Sequence, residues 1–145
     1  MELSSRVKYA LLALLELASH PDRGNYLHID QIAAGHKIPD RYLAQLLIAL
    51  RRGGIVRSQR GAKGGYSLAK EPRKITMREV VTCLEGSQNL EPEGLTAPGT
   101  PEIAAIKSVW QEATTAAIAV FQRHTLQDLV EKRDEEQQSN PMYYI

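Results

Sequence analysis

The chain has 145 residues, 43% of them hydrophobic, and a formal net charge of +1, enough for one core of ordinary domain size. Its richest apolar run, YALLALLELA (residues 9–18), falls well short of the ~20 residues a membrane-crossing helix needs. A single cysteine, Cys83, excludes an intrachain disulfide and any multi-cysteine zinc or iron–sulfur site within one chain. The N-terminus lacks the basic-apolar-small order of a secretion signal, so the expected address is cytoplasmic. The near-neutral total hides a division: residues 1–80 carry 14 Lys and Arg against 7 Asp and Glu, residues 81–145 carry 4 against 10. A basic first half points to a polyanionic partner for that half alone.

In SSRVKYALLALLELASH (residues 4–20), serines suited to N-capping precede Val7, Leu11, Leu14, Leu15 and Ala18, a helical spacing that His20-Pro21 ends. YLHIDQIAAGHKI (residues 26–38) predicts a short extended lead-in and a short helix around Asp30–Ala34, with Gly35 in the left-handed conformation that closes a helix. A third helix is expected to start at Pro39 and run through Arg52 until Gly53-Gly54 stops it. Leu43, Leu46, Leu47 and Leu50 form its inward stripe; Arg41, Ala44, Gln45, Ile48 and Arg52 fall opposite. Two helices joined by a tight glycine-containing turn predict a helix-turn-helix, whose second helix offers its outer face to a major groove.

IVRSQ and GYSLA (residues 55–59 and 65–69) alternate as strands around RGAKG, whose glycines suit the positive φ of a hairpin. Arg57, Arg60 and Lys63 crowd this hairpin, which therefore reads as a basic wing whose glycines let the backbone approach phosphates. ITMREVVTCLEG (residues 75–86) predicts a short helix capped by Thr76, with Glu79 at capping-box spacing. Gly86 to Pro101 lacks an apolar pattern and is expected to be a mobile loop. Beyond it a helical pattern continues for roughly thirty residues, ~45 Å of helix. Ile103, Ile106, Trp110, Ala113, Ala117, Val120, Phe121 and His124 lie along one side, an expected pairing surface for two copies. The expected fold is mainly α with a small β-hairpin: a winged helix-turn-helix domain (1–85), a flexible loop (86–101), a long dimerisation helix (102–134) and a tail (135–145) without an assigned role.

Three ordered segments carry a resemblance: LSSRVKYALLALLELA, QIAAGHKIPDRYLAQLLIALRRGGIVRS, and RGAKGGYSLAKEPRKITMREVV followed by LEG. Together they resemble the Rrf2 family of bacterial winged-helix regulators over residues 1 to about 86. The resemblance implies a homodimer that binds double-stranded DNA, most often as a repressor, with one recognition helix (Pro39 to Arg52) and one wing per subunit. It implies that Arg60 reaches a minor groove or its phosphates, that Tyr42 packs or touches phosphate, and that Ser5, Lys8 and Tyr9 touch the DNA backbone. Family members that bind iron–sulfur clusters carry three cysteines in the loop before the long helix, whereas residues 86–101 here hold neither Cys nor His. No cofactor is therefore expected. Ala44 stands where an iron–sulfur relative has an acidic residue used in base discrimination, so the operator does not carry over.

Arg41 and Gln45 sit one turn apart, and such side chains grip guanine and adenine bidentately. Ile48 suits thymine methyls or packing under the wing; Arg51, Arg52, Arg57 and Lys63 suit phosphates. Cys83 is a candidate redox residue or a buried small side chain, and His124 could join it in a mixed site or serve at an interface. His20, His28 and His36 are scattered at turns without metal spacing. A DNA-binding regulator leads, with a protein or small-molecule effector as input. The alternatives are a winged-helix module docking an acidic protein, or a sensor using a metal or redox site outside the loop. An enzyme is not expected, because no nucleotide-binding loop and no nucleophile–base pair is legible.

Overall fold

The computed structural model describes residues 3–20, 25–86 and 99–139. Its elements are α1 (Ser5–Ser19), α2 (Ile29–Ala34), α3 (Asp40–Arg52), β1 (Val56–Gln59), β2 (Gly65–Leu68), a 3-10 turn (Pro72–Lys74), α4 (Met77–Glu85), α5 (Pro101–Arg123) and α6 (Leu126–Ser139). Among the described residues, no helix is long and apolar enough to cross a membrane.

α1 is the central pillar. Ser4 caps it, its Oγ accepting from the Val7 N–H at 3.2 Å. Ala10 and Ala13 are fully buried beside Leu14, and such small residues let several elements pack closely around one axis. α3, α4, α6 and β2 all pack on α1, and the core runs from Val7 through Leu43, Leu47, Leu50, Ile55, Ile75 and Val80 to Leu126.

The turn after α2 differs from the expectation. Gly35 keeps right-handed helical geometry at φ −68°, and Lys37 takes the left-handed position at φ 53°. The Ile38 N–H returns to the Ala33 carbonyl at 3.4 Å, a six-to-one closure that puts buried Ile38 beyond the left-handed residue. Burying Ile38 therefore sets the turn two residues later than the glycine. α3 ends the same way. Ile55 N–H bonds to the Leu50 carbonyl at 3.0 Å, Gly54 takes φ 75°, and Ile55 is buried. Pro39 caps α3 from just outside it rather than occupying its first turn.

The hairpin pairs Val56 with Leu68, Arg57 with Ser67, Ser58 with Tyr66 and Gln59 with Gly65. The predicted lead-in to α2 lies along its outer edge, where Leu27 and Tyr66 exchange both backbone hydrogen bonds at 2.9 and 2.8 Å. Gly65, at φ 135°, is required because a Cβ there would collide with the Leu27 carbonyl. At α4 only half of the capping box forms. Thr76 Oγ1 accepts from the Glu79 N–H at 3.1 Å, while the Glu79 carboxylate turns to Lys70 at 2.9 Å.

The helix predicted across 102–134 is two helices. His124 is extended (φ −104°, ψ 132°), and Thr125 opens a new helix with a reciprocal capping box. Thr125 N–H donates to Asp128 Oδ2 at 2.9 Å, and Asp128 N–H donates to Thr125 Oγ1 at 3.2 Å. The break is fixed from outside too: Met77 N–H bonds to the His124 carbonyl and Leu126 N–H to the Ile75 carbonyl, at 2.8 and 2.9 Å. α6 then folds back on α1, burying Leu126 and Val130 and setting Arg133 Nη1 2.6 Å from Ser19 Oγ. It continues past the predicted boundary at 134 to Ser139. Most of the predicted loop, residues 87–98, and the last residues of the tail, 140–145, lie outside the described residues.

Candidate nucleic-acid interface

α3 presents two faces of opposite character. Leu43, Leu46, Leu47 and Leu50 are buried, as the sequence predicts, while Arg41, Gln45, Ile48 and Arg52 are exposed and Ala44 is half-buried. The N-terminal ends of α1 and α3 meet beside this face. Tyr9 and Tyr42 stack edge-to-face with centroids 5.6 Å apart, and Lys8 Nζ lies 4.7 Å from the Tyr9 ring centroid. Ser5 and Lys8 are exposed on the first turn of α1. The structure thus brings Lys8, Tyr9 and Tyr42 into one group beside the recognition face.

The wing joins α3 through Arg51, whose Nη1 donates to Ser58 Oγ at 3.2 Å. At its tip Arg60 and Lys63 are exposed, and His28 Nε2 lies 3.1 Å from the Ala62 carbonyl, tying the tip to the start of α2. Arg57 is placed differently from these. It stands at the base of the hairpin with its guanidinium 5.9 Å from the Tyr26 ring centroid.

The cations of this surface stand outside the ion pairs, as do Lys74, Arg78, Lys107, Arg123 and Lys132 elsewhere among the described residues. Among the described residues, Lys70, Arg73 and Arg133 sit in ion pairs with Glu79, Glu71 and Asp134. Lys8, Arg41, Arg52, Arg60 and Lys63 sit in none. Unpaired cations on one surface raise its potential and favour a polyanion.

The α5 stripe divides. Ile103, Ala117 and Phe121 are half-buried, Phe121 packing on the chain's own core. Ile106 (54% exposed), Trp110 (49%) and Val120 (40%) face solvent with Ala113. Val109, 66% exposed, completes this outer row and was missing from the predicted stripe. Helical arithmetic carries the signal, since 106, 109, 113 and 120 are separated by three, four and seven residues, one or two helical turns. Lys37 is a second residue the sequence reading passes over: a non-glycine residue in left-handed geometry, exposed in the helix-turn-helix turn.

Cys83 is half-buried, with its Sγ 3.3 Å from the Ala49 carbonyl. Burial pushes its thiol above the ordinary value, and the Arg6 guanidinium offsets this only in part. A protonated thiol is a weak nucleophile and a poor metal ligand. His124 contributes its backbone to the α5–α6 joint, and His36 Nε2 lies 3.6 Å from Glu16.

Comparison with known proteins agrees with this geometry. The profile of the Rrf2 family, described as an iron-dependent transcriptional regulator, matches residues 3–132. A putative HTH-type transcriptional regulator of Synechocystis is 36% identical over 129 residues, covering 89% of this chain and 87% of the relative. The HTH-type transcriptional regulator CymR of Bacillus subtilis is 34% identical over 145 residues, the full length of both chains. The solved structure of that CymR, titled the global cysteine regulator, superposes with a TM-score of 0.76, covering 91% of this chain and 98% of its own. T. potens IscR superposes with a TM-score of 0.77 at 32% identity, covering 94% and 91%. The residues present here do not fit a cluster held by three loop cysteines. The chain has one cysteine, on α4 against the Ala49 carbonyl, and no group of three or more His, Cys, Asp or Glu converges among the described residues.

Proposed function

The chain belongs to the Rrf2 family and is a DNA-binding transcriptional regulator, not an enzyme; from that premise we propose that it acts as a homodimer on a pseudo-palindromic operator, as a repressor that occupies promoter DNA in the cytoplasm. The observation that carries this reading is the uncovered α3 face with its unpaired Arg41 and Arg52 beside a wing tip bearing unpaired Arg60 and Lys63. α3 enters the major groove, where Arg41 and Gln45 read base edges. Ser5, Lys8, Tyr9, Tyr42, Arg51, Arg52 and Lys63 set register against phosphates, and Arg60 reaches the flanking minor groove or its backbone. The outer row of α5, Ile106 to Val120, pairs two copies so that two α3 helices face one side of the duplex, a whole number of ~10–10.5 bp turns apart.

The test is the salt dependence of binding to a duplex selected from a random pool. Arg60→Ala weakens binding to all sequences and lowers the slope of log affinity against log salt by roughly 0.9. An unchanged slope contradicts the placement of the wing on DNA. Tight capture of an acidic protein without any duplex preference would replace this reading with a protein-docking module.

A further inference from the structure

At the base of the wing, away from the recognition face, the hairpin and the C-terminal end of α1 enclose a cavity of about 380 Å³. Arg57 and Ser67 are direct cross-strand partners, so their side chains leave the same face of the hairpin, and both line this cavity. Ser67 is only 6% exposed, yet among the described residues its hydroxyl has no hydrogen-bond partner. Because no fully buried polar side-chain atom among the described residues lacks a partner, this hydroxyl reaches the solvent of the cavity, where it offers a donor and an acceptor to an occupant. Among the described residues Arg57 has no carboxylate partner; the Tyr26 ring at 5.9 Å is its charge-stabilising neighbour. Nearby charges are already spoken for: Lys70 bonds to Glu79 at 2.9 Å and Glu71 accepts from Arg73 at 2.7 Å. The remaining wall is mixed: Leu17 and Leu27, buried, and Leu68, half-buried, give an apolar side, while His20 and Asn25 line the cavity together with Lys70 and Glu71.

We propose that this cavity binds a small organic carboxylate, with its oxygens on the Arg57 guanidinium and Ser67 hydroxyl and its carbon body against Leu17, Leu27 and Leu68. The guanidinium fork matches a carboxylate bidentately. The volume lies in the range of small-molecule sites, larger than a bare inorganic ion needs. A DNA phosphate is the poorer occupant, because the cavity touches the last turn of α1, whereas the Tyr9–Tyr42 group marks the other end of that helix. Arg57 and Ser67 both stand on the wing strands while Leu17 stands on α1, so an occupant bridges the wing to the central helix. That makes it an effector site, a role that rests on the DNA-binding reading; carboxylate capture itself does not.

The experiment titrates the full-length protein by calorimetry with butyrate, its neutral isostere butyramide, and inorganic phosphate, and measures DNA affinity in parallel without probe. Butyrate binds once per chain, and butyramide binds at least tenfold more weakly. Arg57→Gln weakens butyrate roughly ten- to a hundredfold and Ser67→Ala a few-fold to tenfold, both proteins remaining folded by circular dichroism. The proposal is overturned if butyrate fails to bind at about 20 mM, if butyramide or phosphate binds as well as butyrate, or if neither variant changes butyrate affinity. It is also overturned if Arg57→Gln lowers DNA affinity more than about tenfold while leaving butyrate binding intact, since Arg57 is then a phosphate contact. Loss of all DNA binding by the unsubstituted protein, with butyrate binding kept, removes the regulator reading and leaves the site.

Discussion

The uncovered face of α3 carries Arg41, Gln45 and Arg52; the uncovered face of α5 carries Ile106, Val109, Trp110 and Val120. Water solvates the first at no cost. The second forgoes about 1.5–3 kcal/mol for each large apolar side chain left unburied. None of the described residues of α5 is buried within the chain, although its inner edge packs on α4. A polyanion suits the first face and an apolar surface the second, and in the dimer proposed above a second copy of the chain supplies that surface. Under that proposal the two faces divide the labour: α3 chooses the sequence, and α5 fixes how far apart two α3 helices stand.

The strongest way to break this comparison is to make the two faces alike. Trp110→Glu puts a carboxylate into the paired apolar row; sedimentation should show a monomer, and operator affinity should fall on the order of a thousandfold. Because Trp110 lies outside the core, the thermal unfolding of each chain's winged-helix part should hardly change. The reverse pattern is expected one helix later. Leu126→Ala, at a fully buried position on α6, should cost about 3 kcal/mol of stability in denaturant titration while leaving a dimer at micromolar concentration. Should Leu126→Ala instead dissociate the dimer without destabilising the fold, the division between α5 and α6 is wrong.

On the polar face the effects are smaller and concern choice rather than assembly. Arg41→Ala or Gln45→Ala should each cost ~1–3 kcal/mol against the selected duplex and relax discrimination at one base position, read by competition with single-base variants. The smallest effect is expected at the turn that positions α3. Lys37 occupies the same place after α2 that Gly54 occupies after α3, and only the lysine bears the left-handed penalty. Lys37→Gly should raise stability by roughly 0.5–1 kcal/mol if sterics dominate, measured by chemical denaturation; a loss would show that the glycine's greater unfolded freedom outweighs the relief.

The first half of the fold was legible because its signals are local. Leu43, Leu46, Leu47 and Leu50 fall on one helical face in any packing, and the RGAKG tip suits a hairpin by itself. Gly35 misled because a burial demand one turn further on, at Ile38, decided which residue turned left-handed. The α5–α6 break was written in Thr125 and Asp128 as a capping pair, but the apolar pattern continues across it, and its backbone partners Ile75 and Met77 lie some fifty residues away. The stripe on α5 divides for a related reason. Period alone does not tell Phe121, which turns inward onto the chain's own core, from Trp110, which turns outward. The cavity at the wing base was invisible for the same reason: Leu17 meets Arg57 and Ser67 only through tertiary packing.

The central claim is tested most directly by the stoichiometry and symmetry of the DNA complex. A duplex selected from a random pool is mixed with the full chain, and the complex is examined by sedimentation equilibrium and hydroxyl-radical footprinting. Two chains per duplex, with two protected half-sites related by a two-fold axis, are expected for the unsubstituted protein, and Trp110→Glu should lose both. One chain bound per duplex with a single asymmetric footprint, or undiminished operator affinity in Trp110→Glu, would contradict the account.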